Sequence, residues 1–236
     1  MMPLWLVTQV LMAFPNMSHC RISVVLTGGA KIKNIHEPPP TLTSITLLVG
    51  TLFCIAPLNE WFSQTRNLQN LTISYATRNQ DGSECRLLKR ATSLISLSIT
   101  ITDTYIRDDG TWVEYVYDRE DDTEFRNNVD LTQNRNLRTL CLDIPSSVSL
   151  ATYWLNQLPA PKLLVSLLLN LSSCAVRSVF EGPSDLVDEF DSLLGSSSFS
   201  GLKEISIIDA REGSQMLEVE RNRLPLLRAR NLKPFP

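Results

Sequence analysis

Apolar residues recur along this chain in a six-residue pattern, L-x-x-L-x-L, in which Ile, Met, Val or Cys can stand for Leu. The pattern begins at Met17, Leu42, Leu68, Leu94, Leu137, Leu164 and Leu202. Successive starts lie 25, 26, 26, 43, 27 and 38 residues apart. Asn or Gly precedes four of them, at Asn16, Asn67, Asn136 and Gly201. A single match would be expected by chance in a Leu-rich chain, but seven at near-regular spacing indicate a structural repeat.

Each match predicts a short strand, because successive side chains of a strand point to opposite faces of a sheet. We expect Leu71, Leu97, Leu140, Leu167 and Ile205 to occupy equivalent buried positions. Repeats of about 20–29 residues with this pattern are typical of leucine-rich repeats. The predicted fold class is therefore α/β: a leucine-rich-repeat solenoid. Its short parallel strands would form a concave sheet, with helices or irregular turns on the convex side.

Three segments between the strands carry apolar residues at helical spacing. They are Cys54–Gln64, Ser146–Leu158 and Pro183–Leu194. In the last of these, Leu186, Phe190 and Leu194 form the predicted buried row, and Gly195 marks the C-terminal end.

We interpret residues 1–236 as a single array that is incomplete at its N-terminus, because the apolar segment Met1–Phe14 resembles the tail of an earlier repeat. A signal peptide is the alternative, which the absence of Lys or Arg before the apolar run disfavours.

The long interval after Leu94 contains an acidic insertion at about residues 103–130. Its candidate docking residues are Asp118, Glu120, Asp121, Asp122 and Glu124. The alternation in Thr111–Tyr117 predicts a strand within it. The insertion is interpreted as a solvated hairpin or loop, or alternatively as a docking site for a basic partner.

The repeats resemble the leucine-rich-repeat part of fungal F-box-like proteins. The resemblance rests on Phe14–Ile22, Asn67–Ile73, Asn136–Leu142, Gly201–Ile207 and the closing Arg223–Arg230. It implies the substrate-recognition part of an F-box-type ubiquitin ligase. The LP-x-E-type opening of an F-box is not found in the sequence, so the implied partner is a substrate, and direct binding of the ligase adaptor is not expected.

Composition narrows the function classes. A net charge of −3 disfavours nucleic acid and a polybasic membrane-surface role. The chain has two His and five scattered Cys, which predicts neither a metal site nor a dense disulfide framework. Scattered single cysteines favour an intracellular location, cytoplasmic or nuclear. The nucleophile-elbow, P-loop and dinucleotide-binding motifs do not occur. We therefore expect no cofactor, no membrane partner and no enzymatic activity.

The function predicted from the sequence is a non-enzymatic protein-recognition module. Solenoids bind proteins through the outward residues of their strands. The candidate binding residues on the concave face are His19, Arg21, Asn70, Thr72, Ser98, Thr139, Cys141, Asp143, Asn170 and Glu204. Loops are the competing location for such contacts. A truncated fragment without an independent role and an unrecognised hydrolase are the alternative functions.

Overall fold

The computed structural model of the chain describes residues 9–24, 37–49, 56–76, 83–102, 104–106, 112–114, 126, 129–144, 148–171, 184–209 and 224–230. Its strands are β1 (His19–Val24), β2 (Ser44–Val49), β3 (Asn70–Ala76), β4 (Ser96–Thr102), β5 (Thr104–Ile106), β6 (Trp112–Glu114), β7 (Thr139–Ile144), β8 (Ser166–Leu171) and β9 (Glu204–Asp209). Its α-helices are α1 (Ala56–Phe62), α2 (Ser83–Arg90), α3 (Val148–Asn156), α4 (Ser184–Gly195) and α5 (Pro225–Ala229). Short 3-10 turns occupy Pro161–Leu163 and Ser197–Phe199.

The main sheet has seven parallel strands in the order β1-β2-β3-β4-β7-β8-β9, which follows the order of the chain. The α/β class predicted from the sequence is confirmed, as is the parallel pairing of the strands after Leu68 and Leu94. The small strands β5 and β6 form a separate antiparallel pair. They lie in the predicted acidic insertion, and β6 falls within the predicted strand Thr111–Tyr117.

The register brings the same position of each predicted repeat into one row. Leu71 pairs with Leu97, and the row continues through Leu140, Leu167 and Ile205. The first four side chains are buried, as expected, whereas Ile205 on the edge strand β9 is only partly buried. A central strand is shielded by a neighbour on each side, and an edge strand by only one, which explains the difference.

The chain enters six of the seven strands of the main sheet, all except β1, through the same backbone contact. The N–H groups of Thr43 and Ser44 both donate to the carbonyl oxygen of Ser18, at 2.9 and 3.0 Å. The equivalent pairs are Gln69 and Asn70 to Thr43, Ile95 and Ser96 to Gln69, Arg138 and Thr139 to Ile95, Val165 and Ser166 to Arg138, and Lys203 and Glu204 to Val165. All six junctions between neighbouring strands are therefore built alike, including the two that follow the long sequence intervals.

Polar side chains tie most neighbouring units together just before the strands. Thr41 donates its hydroxyl to the carbonyl oxygen of Pro15 at 3.1 Å. Each donor here directly precedes an L-x-x-L-x-L match, and each acceptor lies two residues before the preceding match. The equivalent bonds are Asn67 to Pro40 (3.5 Å), Ser93 to Arg66 (2.8 Å) and Asn136 to Thr92 (3.4 Å). These bonds account for two of the three Asn residues that precede the pattern in the sequence, Asn67 and Asn136.

The helices and the Leu-rich face of the sheet share one hydrophobic core. The predicted helical segments contain α1, α3 and α4, and Leu150, Trp154 and Phe190 are buried as expected. The assignment of Leu186 to the buried row of α4 is wrong: its side chain is 43% exposed, and Val187 is buried instead. Phe190 and Leu194 continue a row from either residue, so the spacing alone did not separate them.

The last helix is fastened to the unit before it by side chains. Asp191, which is buried, accepts a hydrogen bond from the Leu226 backbone N–H at 2.9 Å. Arg230 donates to the carbonyl oxygens of Leu194 (2.6 Å), Phe199 (2.7 Å) and Leu202 (3.2 Å). The Arg230 guanidinium group thus satisfies three backbone carbonyl oxygens of the preceding unit, and these bonds together with that of Asp191 hold α5 against α4.

Candidate functional site

The parallel register assembles the residues between the Leu-type positions into three rows that cross the sheet. The first row is His19, Ser44, Asn70, Ser96, Thr139, Ser166 and Glu204. The second is Arg21, Thr46, Thr72, Ser98, Cys141, Leu168 and Ser206. The third is Ser23, Leu48, Ser74, Thr100, Asp143, Asn170 and Ile208. We call these three rows the polar face.

All ten strand residues predicted as a binding surface lie on the polar face, distributed over its three rows. His19, Asn70, Thr139 and Glu204 belong to the first row, Arg21, Thr72, Ser98 and Cys141 to the second, and Asp143 and Asn170 to the third. The predicted acidic docking residues, Asp118, Glu120, Asp121, Asp122 and Glu124, lie outside the described residues.

Most side chains of the polar face are partly rather than fully exposed. Neighbouring strands stand only about 4.8 Å apart, so adjacent side chains in a row shield one another. His19, Arg21 and Asn70, towards the β1 edge, are the exposed members among the predicted residues. Ser166 is buried and donates its hydroxyl to the Glu204 carboxylate at 2.7 Å. The surface is therefore a closely packed set of mainly hydroxyl and amide groups.

A compact group of interacting side chains lies on β4, β7 and β8. Ser98 and Cys141 are register partners, and the Ser98 hydroxyl hydrogen-bonds the Cys141 sulfur. Asp143 and Asn170 are also register partners, and the Asn170 amide donates to the Asp143 carboxylate. We call Asp143 and Asn170 the acceptor pair.

Burial changes the ionisation of both titratable groups in this cluster. Burial raises the pKa of the Asp143 carboxyl, and the hydrogen bond from Asn170 offsets only part of that rise. Burial raises the pKa of the Cys141 thiol, the hydrogen bond from Ser98 offsets part of that rise, and the charge of Asp143 adds a smaller rise. Burial also raises the pKa of Cys20, to about 11. Both thiols are therefore protonated at neutral pH, in which state a cysteine is a weak nucleophile.

Charge is distributed unevenly across the polar face. The cationic Arg21 lies on β1, at one edge of the sheet, while Asp143 and Glu204 lie on β7 and β9 towards the other edge. Four strand spacings of about 4.8 Å place β1 roughly 19 Å from β7 along the sheet. Hydroxyl and amide groups predominate between them. A segment that crosses the strands would meet a positive region at one end and a negative region at the other.

Three apolar members of the polar face were missed among the predicted binding residues. Leu48, Leu168 and Ile208 occupy outward positions and are partly exposed. Strand alternation alone places them on this face, but an apolar side chain at an outward position gives no sequence signal of binding. Leu168 and Ile208 matter here because Leu168 lies on the same strand as Asn170 and Ile208 lies on the next strand.

Within the described ranges, no group of three or more His, Cys, Asp or Glu residues is arranged to hold a metal ion. No helix in that part of the chain is long and apolar enough to cross a membrane.

Comparisons with known proteins add no information on this surface. No protein-family model matches the chain, and no curated protein or solved structure matches it.

Proposed function

We propose that this chain is a leucine-rich-repeat module that recognises a protein partner through the polar face and catalyses no reaction. The repeat assignment is supported by the equivalent backbone contact at all six junctions of the main sheet. It is also supported by the side-chain bonds of Thr41, Asn67, Ser93 and Asn136, which join neighbouring units at one recurring position. Units joined in this way bury their apolar faces against one another and leave the opposite faces of their strands for binding.

The observation that carries the proposed function is the alignment of the three rows of the polar face. Seven strands in one register place mainly polar side chains side by side over the whole width of the sheet. Such a surface offers many hydrogen-bonding groups at regular spacing. The charged residues near its two edges provide orientation, because complementary charges determine register more than affinity.

The test is to obstruct the polar face without disturbing the core. Thr72→Arg and Ser98→Arg place long charged side chains on the two central strands, at partly exposed positions of the second row. Asn156→Arg introduces the same side chain at an exposed position at the end of α3 and serves as the matched control. Each variant is used as bait in affinity capture with mass spectrometry.

We expect proteins captured by the wild type and by Asn156→Arg to be lost with Thr72→Arg and Ser98→Arg. Circular dichroism and melting curves check that each variant is folded. Capture of the same proteins by all variants would contradict binding through this face and would direct attention to the loops.

A further inference from the structure

Asp143 carries the negative charge of the third row, and none of its described register neighbours is a cation. Its register partners are Thr100 on β4 and Asn170 on β8, and Cys141 precedes it on the same face of β7. It forms no ion pair within the described part of the chain. A partly buried carboxylate is costly unless a charged or donor group compensates it.

Among the described residues, the acceptor pair has more hydrogen-bond acceptors than donors. The Asn170 amide donates to Asp143, while its Oδ1 is buried and has no hydrogen-bond partner in the part of the chain that the structure describes. Thus two acceptor groups stand side by side, and the nearby thiol of Cys141 is a weak donor. Because the Asn170 Oδ1 atom has almost no exposed surface, a ligand group reaches the partly exposed Asp143 carboxylate, and it must bring N–H donors and a positive charge.

Apolar side chains flank the acceptor pair on the β8 and β9 side. Leu168 precedes Asn170 on the same face of β8, and Ile208 is the register partner of Asn170 on β9. Both are partly exposed. Long basic side chains bury their methylene stems on apolar surface while the charged head reaches a polar group. Leu168 and Ile208 lie where such a stem would run.

We propose that the acceptor pair, Asp143 with Asn170, binds a basic side chain of the protein partner, preferably arginine, whose stem packs on Leu168 and Ile208. The inference rests on the proposed binding function of the polar face. Arginine is preferred because its planar guanidinium group presents two parallel N–H donors to a carboxylate, whereas the lysine ammonium acts as a point charge. The raised pKa of Asp143 is consistent with a carboxylate that lacks its counter-ion until the partner is bound.

The experiment selects random displayed peptides on the full chain and on two variants that each lose one negative charge. Asp143→Asn removes the proposed contact, and Asp188→Asn, at an exposed position on α4, is the matched control. We expect the wild type and Asp188→Asn to enrich peptides with arginine at a shared position. Asp143→Asn should bind those peptides at least about tenfold more weakly, as expected for loss of a close charge pair.

A second step replaces the shared arginine of the best peptide by citrulline, which has nearly the same shape but no charge. The wild type should lose at least about tenfold in affinity, whereas Asp143→Asn should lose little more, because the interaction is already absent. The citrulline measurement on the wild type requires no protein variant and therefore does not depend on whether Asp143→Asn folds.

Two results would overturn the inference: no enrichment of basic residues by the wild type, or an equal citrulline penalty in the wild type and Asp143→Asn. Ser98→Arg then separates this failure from failure of the proposed function. If Ser98→Arg blocks peptide binding, the polar face binds but Asp143 is not its anchor. If binding survives Ser98→Arg, both the inference and the proposed binding face are wrong.

Discussion

Gly201 lies against the backbone of Lys162 so closely that a Cβ atom on Gly201 would stand 1.9 Å from the Lys162 carbonyl oxygen. Gly201 directly precedes the last L-x-x-L-x-L match, at the position where Thr41, Asn67, Ser93 and Asn136 donate a side-chain hydrogen bond in other units. In the last unit the approach of the backbone leaves no room for such a side chain.

Gly201→Ala should therefore destabilise the chain by about 3 kcal/mol, at the upper end of the usual cost of overpacking, because the obstructing atom belongs to the backbone. Ser93→Ala at the equivalent position removes one hydrogen bond and should cost about 1 kcal/mol. Urea unfolding of the two variants measures both values. A fully stable Gly201→Ala would show that Lys162 moves away at little cost.

The register predicts a difference between central and edge positions of one buried row. Leu140 on β7 is fully buried between Leu97 and Leu167, whereas Ile205 on β9 pairs only with Leu167 and is partly buried. Leu140→Ala should cost about 2–5 kcal/mol. Ile205→Ala should cost less, since part of its side chain already contacts solvent. Equal melting temperatures for Leu140→Ala and the wild type would contradict the inward placement of Leu140.

The strands could be predicted from the sequence because one apolar pattern recurs seven times and its alternation defines two faces. The helix α2 could not: among its described side chains Leu87 and Leu88 are buried, and two adjacent apolar residues do not by themselves form a helical row. The burial of Asp191 was also unpredictable, because its hydrogen-bond partner Leu226 lies 35 residues further along the chain. Local spacing contains no information on such a contact.

Strand alternation predicts which residues belong to the polar face, but it does not predict the hydrogen bonds between them. Asp143 and Asn170 belong to different repeats, and both lie six positions after the start of a match, so the predicted alignment of the repeats already pairs them. The sequence also placed both on a solvated surface, whereas the structure buries the Asn170 Oδ1 atom and raises the pKa of Asp143 by burial. The degree of burial is a property of the packed sheet and does not follow from the spacing of the repeats.

Asp143 and Asp130 should influence stability with opposite dependence on pH. Burial raises the pKa of Asp143, so the folded chain holds this proton more tightly than the unfolded chain. Its contribution to stability should therefore improve as the pH falls through its folded-state pKa towards about 3.9, the ordinary value for Asp. For Asp130, partial burial raises the pKa, but hydrogen bonds from Thr132 and the Lys89 ammonium group outweigh this and lower it.

The stabilisation from Asp130 is thus present above about pH 3.9 and is lost as the pH falls through its lowered folded-state pKa. Urea unfolding of the wild type, Asp143→Asn and Asp130→Asn from neutral to acid pH measures both effects. As the pH falls, the wild type should gain stability relative to Asp143→Asn and lose it relative to Asp130→Asn. Differences that change in the same direction would refute the opposite linkage.

The ubiquitin-ligase role stays a prediction from the resemblance to fungal F-box-like proteins. Because the F-box opening is not found in this sequence, the purified ligase adaptor should not form a stoichiometric complex with the chain in gel filtration. Fusion of an F-box helical unit to the N-terminus provides the positive control and should restore binding. A stoichiometric complex between the adaptor and the unmodified chain would overturn the interpretation of the chain as the substrate-recognition part that lacks the F-box.

The acidic residues Asp118, Glu120, Asp121 and Asp122 predict an effect on association rather than on the final contact. Dispersed like charges steer a basic partner from a distance, whereas truncation of a partly buried charge such as Asp143 acts mainly on dissociation. Replacing the four residues by Asn or Gln should slow association about tenfold at low ionic strength and reduce its salt dependence. At about 1 M salt the two chains should associate at the same rate, since screening then acts within about 3 Å.

Stopped-flow measurements with the partner from affinity capture provide these rates. Equal association rates at low salt would reject steering by this segment, and the polar face would then remain the main candidate for partner contact.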